Sequence, residues 1–502
     1  MKGFVLLLSL FLGIGQAAPA QRLSRERLYL KQGLAYSSFD AILPLPNGQL
    51  LTESGDRTAT LEEKSTRRLL SPTLDTVWTR TIFPFAGWQG LLQLPNGDCL
   101  GMGLIHQGTL PGGNLNTNVY LERISLTGRS RWQRSYEFGT VELGEGVAIA
   151  PDGGFLVLAL TSYFAQRSQL YLLKTDTAGQ EQWRRPHGWG GNEPIPHMRS
   201  SPTGRILVAG PTFLGGNTPA QLKLLLFNQY GDSVRGRLLA PLGPTTSMRT
   251  MDTQNSLLPL ADGGWLLTGY RDSTRVPDQP FLLRLDSLLQ PRWARRYRAP
   301  NNADVVYGGT CELQDGSLLV LAWQRQPLTT GFALHHYSAT GQLLTIYPFT
   351  SAIAGTAVAP YLLTPTLNGR TLFVAGYGNP TLTSRQSYLA TIDLQTLPGA
   401  VVLSSPTPVK PAVPAAWLDL FPNPTTAAVT VRFHLPLGAA KATVCFYDAT
   451  GRLVRQQTLA GPSGQVRVTV AGLRSGLYVA RLLGPDERVL ATQKLSIERE
   501  DY

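Results

Sequence analysis

Seven short turn phrases, each ending in a glycine, punctuate this chain and restrict its fold more than any other feature. They read Pro46-Asn47-Gly48, Pro95-Asn96-Gly97, Pro151-Asp152-Gly153, Pro202-Thr203-Gly204, Ala261-Asp262-Gly263, Gln314-Asp315-Gly316 and Leu367-Asn368-Gly369. Apolar segments flank them, as in LADGGWLLTGY at 260–270. Asp-Gly or Asn-Gly between apolar runs is a hairpin signal and reads as a two-residue type I′ turn. The glycines recur about every 53 residues, close to the period of blade-type repeats.

A second landmark keeps the same beat. Thirty residues after the turn glycine come Trp78, Trp183 and Trp293, each with an arginine one or two places on; Trp132 follows a longer loop. At that count units four and six place Val234 and Ile346. A further turn precedes the landmark at Thr127-Gly128, Ala178-Gly179, Tyr230-Gly231 and Thr340-Gly341, while units one and five lack its glycine. Each unit therefore parses as four short strands, in the third unit 147–150, 155–160, 170–174 and 180–184. Sustained helical periodicity is missing, and evenly spaced short strands argue for an all-β chain.

A four-stranded unit of this length cannot bury both faces alone. Seven packed radially do so and leave only short edges. The expected fold is a seven-bladed β-propeller over residues 21–404, followed by a small C-terminal β-sandwich. Leu28-Tyr29-Leu30 is the expected closing strand beside the last blade. The fixed register of the tryptophans points to packing between blades rather than to ligand platforms.

The units resemble the repeats of secreted propellers from Bacteroidetes-type bacteria, in which a DGG hairpin precedes a D-x-x-G-x-x-x-W segment. ADGGWLLTGY at 261–270 and LLKTDTAGQEQWRR at 172–185 carry that likeness, which implies a fold and no activity. The phrase from Asp176 to Trp183 is also similar to quinoprotein propellers. Their adjacent cysteine pair is absent here, so neither a quinone nor any other cofactor is expected.

The first twenty residues read as a secretory signal: Lys2, an apolar core over 4–14, and a small-x-small site at Ala18-Pro19-Ala20. That core is too short to span a bilayer, which takes about 20 residues. No later stretch qualifies, so the protein is not expected to be transmembrane. Three widely spaced cysteines, Cys99, Cys311 and Cys445, make no disulfide framework; a Cys99–Cys311 bridge stays open. The net charge is +12, yet lysine supplies only eight of the 45 basic residues and the arginines are scattered. This reads as bias spread over strands, and no nucleic-acid partner is expected.

Composition changes at 405–416, where closely spaced prolines make a stiff linker. Beyond it, 417–502 is a run of short alternating strands at 429–434, 442–447, 453–459, 465–470, 476–483 and 488–497, which suggests a small sandwich. LFPNPTT at 420–426, FYDATGRLV at 446–454, LRSGLYVARL at 473–482 and QKLSIE at 493–498 occur in order. Together they resemble the type A C-terminal sorting domain of the type IX secretion system, with Phe421 where tyrosine is usual. The motif positions are Pro422, Asn423, Pro424, Gly451, Gly476 and Tyr478. The resemblance implies Sec export to the periplasm, passage through the outer membrane by the type IX machinery, and release or attachment to surface lipopolysaccharide.

In an up-and-down blade the two tight turns share one face, and the second-to-third loops and inter-blade connections share the other. Those longer loops are expected at 106–118, 185–198, 211–221, 240–253 and 270–279, and binding usually resides in loops on a rigid scaffold. The richest is 185–198, with His187, Trp189, Glu193 and His197; Tyr270 and Arg271 flank another. The ten-residue separation of the histidines fits no common metal spacing, so no metal is expected. Tyr136, Glu142, Glu145, Tyr297 and Tyr307 are weaker candidates that read as solvated surface. No nucleophile elbow, zincin motif, phosphate loop or calcium loop is present. The expectation is a non-catalytic propeller binding a glycan or a protein, with a hydrolytic, carbohydrate-active enzyme as the alternative.

Overall fold

A computed structural model describes residues 21–399 and 416–498, apart from 31–32, 61, 83–85, 110–114, 140–141, 162–168, 188–195, 213–220, 240–246, 251–255, 273–278, 301–302, 367–368, 382–383, 436–440, 462 and 486–487. The expected signal segment and nearly all of the linker fall outside the described residues. The chain divides into two compact units, Met1–Pro408 and Val409–Tyr502.

Among the described residues of the first unit there are seven antiparallel sheets, as many as there are turn phrases. Their first strands are Leu34–Pro44, Ala86–Gln93, Glu142–Ile149, His197–Ser200, the split pair Ser247–Thr250 and Leu257–Pro259, Asp304–Glu312, and Ala357–Pro365. The third sheet runs Glu142–Ile149, Phe155–Thr161, Gln169–Thr175, Glu181–His187, within a few residues of the sequence expectation. Successive sheets touch through these first strands, with Trp265–Asp272 making the contact from the fifth sheet to the sixth. That ring of contacts returns from the seventh sheet to the first, so the first strands line the axis of a closed β-propeller. Closure uses the N-terminus. Arg25–Tyr29 pairs with Ser384–Asp393 as the outermost strand of the seventh sheet; Leu30, expected in that strand, lies beyond it and is exposed.

Other expectations need correction. The tight turns are not type I′. Gly48 N–H donates to Leu45 O (2.9 Å) and Leu45 N–H to Gln49 O, and the same pair recurs at 94–98, 150–154, 201–205, 260–264 and 313–317. Only the glycine has positive φ (80° at Gly48, 81° at Gly263), which is a type I turn closed by a glycine bulge. Proline explains why: Pro46, Pro95, Pro151 and Pro202 hold φ near −65°, right for the first corner of type I and unattainable in I′. Second, the loop expected at 106–118 is mostly ladder, since Cys99–Thr109 pairs with Leu115–Ile124 through His106↔Thr117 and Thr109↔Leu115. The question left open by the cysteines is also answered: no bridge joins Cys99 and Cys311, and all three cysteines are free and buried.

The repeat tryptophans pack between sheets. An added Cβ on Gly128, Gly179, Gly231 or Gly341 would come within 3.1, 2.9, 2.7 or 2.9 Å of Trp78, Trp132, Trp183 or Trp293, each from the preceding sheet. The arginine two places on ties the same turn: Arg80 donates to Gly128 O, and Arg295 to Gly341 O. In the fourth and sixth sheets, register puts Arg235 and Thr345 at the tryptophan position, not Val234 and Ile346. The interval between the two turns is one residue longer in the fourth unit and one shorter in the sixth than in the first, third and fifth, and a one-residue slip sends a side chain to the other face. Where the preceding sheet brings no tryptophan, the turn carries leucine instead of glycine. Leu74 (φ 68°) faces the closing strand, and Leu289 (φ 62°) follows Arg235. Both leucines are buried, filling space an indole occupies elsewhere.

The second unit is a two-layer sandwich. One sheet holds Trp417–Phe421, Ala428–His434 and Ser463–Thr469; the other holds Leu453–Ala460, Lys441–Tyr447, Gly476–Leu483 and Val489–Ile497. Val431, Phe433, Val444, Phe446, Leu482 and Leu495 form the core between them.

Candidate functional site at the seam of the first and last sheets

The first strands carry a recurrent irregularity that the repeat phrase does not announce. Register shifts leave Asp40, Gln89, Glu145 and Tyr361 as extra residues between paired neighbours. Each lies eight residues before its turn glycine (48, 97, 153, 369), so the bulge is part of the repeat. A bulge re-aims one side chain and is common beside binding sites. Because these strands surround the axis, the bulge residues differ from blade to blade where a ligand would approach. An eight-residue offset from each glycine was the sequence signal that would have found them.

One bulge residue opens onto a cavity. Tyr36, Asp40, Gly55, Asp56, Arg57 and Glu63 line a space of about 240 Å³ at the strand ends opposite the tight turns. That is the face where the loops were expected to carry function. Asp56 is fixed behind it: Oδ1 accepts from Ser37 Oγ (2.8 Å) and Ser54 Oγ (3.1 Å), and Oδ2 from Thr66 Oγ1 (2.5 Å). Burial pushes the Asp40 carboxyl up to about 7, against a backbone N–H from Gly55 and with the Asp56 charge adding to the rise. Glu63 Oε2 sits 3.6 Å from His106 Nε2, whose pKa burial lowers despite that carboxylate.

The seventh sheet packs beside this cavity, against Ser38, Phe39 and Tyr36. Tyr361 donates to Phe39 O (2.6 Å) and pairs with Ser38 Oγ. The Arg57 and Arg385 guanidinium carbons lie over the Tyr36 ring, at 5.9 and 5.5 Å from its centroid, and Arg385 also lies over Tyr377 at 4.6 Å. Tyr36 is held above its ordinary pKa by burial first and the Asp40 charge next. The seam thus offers aromatic faces, hydroxyls, two exposed guanidiniums and one carboxyl that changes charge near neutrality.

Those sequence-nominated residues that are described lie elsewhere. His187 ends the outermost strand of the third sheet, its ring edge-on to Phe227 at 4.8 Å and its pKa lowered by burial. His197 begins the innermost strand of the fourth sheet, opposite Ala209. Trp189 and Glu193 lie outside the described residues. Tyr270 lies on the second strand of the fifth sheet with Arg325 over its ring at 5.4 Å, and Arg271 follows it opposite Gln279. Among the described residues, no group of three His, Cys, Asp or Glu is placed to hold a metal. The weaker candidates are largely not solvated. Tyr136 is buried and donates to Gly179 O, while Glu142 is sealed and accepts from the Phe138 and Gly139 amides. Glu145 is buried, and Tyr307 is buried against His335 and Tyr337.

In the sandwich the motif residues hold the first strand to the last. Asn423 Nδ2 donates to Lys494 O, Ser496 N–H donates to Asn423 Oδ1 (both 2.8 Å), and Thr425 pairs with Ser496 and Glu498. Gly451 takes φ 81° in the turn closed by Asp448 and Arg452, and Tyr478 Oη donates to Arg474 O. Pro422 and Pro424 flank Asn423, and Gly476 opens the strand Gly476–Leu483. Residues 419–498 match the secretion system C-terminal sorting domain. The sorting domain directs export through the type IX secretion system to the cell surface or the extracellular space, and engages that machinery. No described helix is long and apolar enough to cross a membrane.

Solved structures similar to the chain include an α-L-arabinofuranosidase of Fusarium graminearum (10% identity, TM-score 0.42, covering 73% of this chain and 94% of that one). A PL25 ulvan lyase is 10% identical (TM-score 0.45; 72% and 98%), and a puromycin hydrolase 16% identical (TM-score 0.40; 72% and 52%). No curated protein matches.

Proposed function

We propose that the exported propeller is a non-catalytic glycan-binding protein whose site is the cavity at the seam of the first and seventh sheets. The observation that carries this reading is the grouping of Tyr36, Asp40 and Arg57 around a cavity on the loop face, with Tyr361, Tyr377 and Arg385 from the neighbouring sheet. Tyrosine faces and planar guanidiniums suit sugar rings and their hydroxyls. Paired-carboxyl hydrolysis needs a second carboxylate at a set separation; the Asp56 oxygens already accept three hydroxyls, and Glu63 on the cavity rim lies against His106 at 3.6 Å. The loop with His187, Trp189, Glu193 and His197, and the pair Tyr270 and Arg271, belong to the same proposed binding face. In this reading residues 1–20 are removed on export, 21–404 bind, 405–416 tether and 417–502 address. The mature protein is then released or held on surface lipopolysaccharide.

One observation favours catalysis as the second reading: a carboxyl raised to about 7 suits a general acid. A glycan array combined with a polysaccharide-degradation screen of the mature chain separates the two. Binding without product supports the first reading, and product that disappears in Asp40→Asn establishes the second.

A further inference from the structure

Arg57 and Arg385 differ from the arginines that brace one strand or sheet against another in what they touch. Arg67, Arg80, Arg185, Arg237 and Arg295 each bond a carboxylate or a carbonyl. Arg57 and Arg385 are exposed, and among the described residues their guanidiniums contact only aromatic rings. Both converge on Tyr36, one from the second strand of the first sheet and the other from the third strand of the seventh. Each guanidinium carbon lies within 5.9 Å of the Tyr36 centroid, so the two charges are at most about 11 Å apart, and an anion beside either one is attracted by both. Nearby carboxyls do not serve. Asp56 is taken by hydroxyls and Asp40 accepts from the Gly55 amide, while Glu63, opposite Arg57 in the ladder and 3.6 Å from His106, makes no ion pair with either guanidinium among the described residues.

We propose that Arg57 and Arg385 take the anionic substituent of an acidic polysaccharide, a uronate carboxylate or a sulfate ester, while the sugar ring lies against Tyr36 beside Asp40. This rests on the seam being a glycan site and names the glycan class. The planar fork of arginine meets carboxylate and sulfate oxygens with paired, charge-assisted hydrogen bonds, and stacking on tyrosine pre-orders it at low entropic cost. An uncharged Asp40 carboxyl, favoured by its raised pKa, tolerates a neighbouring anion and can donate to it or to a sugar hydroxyl.

The test measures affinity of the full mature chain for three probes: hyaluronan, which carries carboxylates only; dextran sulfate, which carries sulfate only; and neutral dextran. Arg57→Gln and Arg385→Gln are each compared with Arg296→Gln, which removes the same charge from an exposed position on the outermost strand of the fifth sheet. The expected result is binding of hyaluronan or dextran sulfate over dextran, lowered about tenfold by each seam substitution and little changed by Arg296→Gln. Whichever polyanion shows that pattern identifies the group. Melting temperatures verify folding, and Arg57→Lys, which keeps charge without the fork, should recover only part of the affinity. Dextran bound as well as the polyanions, or Arg296→Gln as harmful as the seam variants, overturns this inference and leaves the glycan reading standing. Binding to no polysaccharide overturns both.

Discussion

The contact between Trp183 and Gly231 permits a quantitative test of how neighbouring blades are joined. Trp183 lies on the outermost strand of the third sheet, and Gly231 closes the last turn of the fourth with φ 82°. A Cβ on Gly231 would meet Trp183 at 2.7 Å and Leu172 at 2.9 Å. Gly231→Ala therefore carries two costs: about 1–2 kcal/mol for an L-residue in the left-handed region and about 1–3 kcal/mol for overpacking. Trp183→Ala removes a packed indole whose ring also carries Arg185 at 4.2 Å, for about 3 kcal/mol. The double variant keeps the backbone cost but loses much of the clash. It should be less destabilised than the sum of the singles by about 1–2 kcal/mol, a coupling typical of residues in contact. Urea unfolding of the four proteins, followed by far-ultraviolet circular dichroism, gives the cycle. Additivity within about 0.5 kcal/mol, the range for independent sites, would refute the idea that indole and glycine are fitted to each other.

Other expectations follow from the same structure. Arg67 is buried between Glu53 and Glu122 and lies over Trp88 at 3.7 Å; Arg67→Met removes the cation buried between them, leaving Glu122 only Arg80 at 3.6 Å, and should cost about 3–5 kcal/mol in the same unfolding measurement. The native Asp40 pKa of about 7 stands above its ordinary value, so the folded state holds a proton that the unfolded chain releases. Stability from this group is therefore full below about 4 and is lost as pH rises towards 7. Asp40→Asn should raise the melting temperature at pH 8 relative to wild type and change it little at pH 3.5; an equal shift at both values would contradict the assignment. Deleting residues 22–30 removes the closing strand, including Glu26, which accepts from Ser351 and Tyr388. The propeller should then melt markedly lower, and an unchanged transition would mean that the ring does not depend on this strand. Truncation of 420–502 should leave the protein inside the cell envelope on fractionation, and undiminished secretion would remove the sorting role from the sandwich.

Much of this protein was fixed by local chemistry and therefore legible in its sequence. Asn or Asp, and once threonine, followed by glycine between apolar runs marks a turn through local φ preference, so the seven turn phrases, the blade period and the number of sheets could be counted. Asn423 between two prolines, with the turn at Gly451 and the strand at Tyr478, likewise forms an ordered signature for the sorting domain. Even there, a count along the chain was too coarse to settle type I against I′ or to place Arg235 and Thr345, because one residue changes the face. Tertiary structure alone decided the rest. Leucine replaces glycine at 74 and 289 because of what the neighbouring sheet presents, which no window of sequence contains. The seam site joins Tyr36 and Asp40 to Tyr361 and Arg385, more than three hundred residues away. Only closing the ring brings the first and last blades together, and a polar residue aimed by a bulge looks in sequence like any other break in a strand.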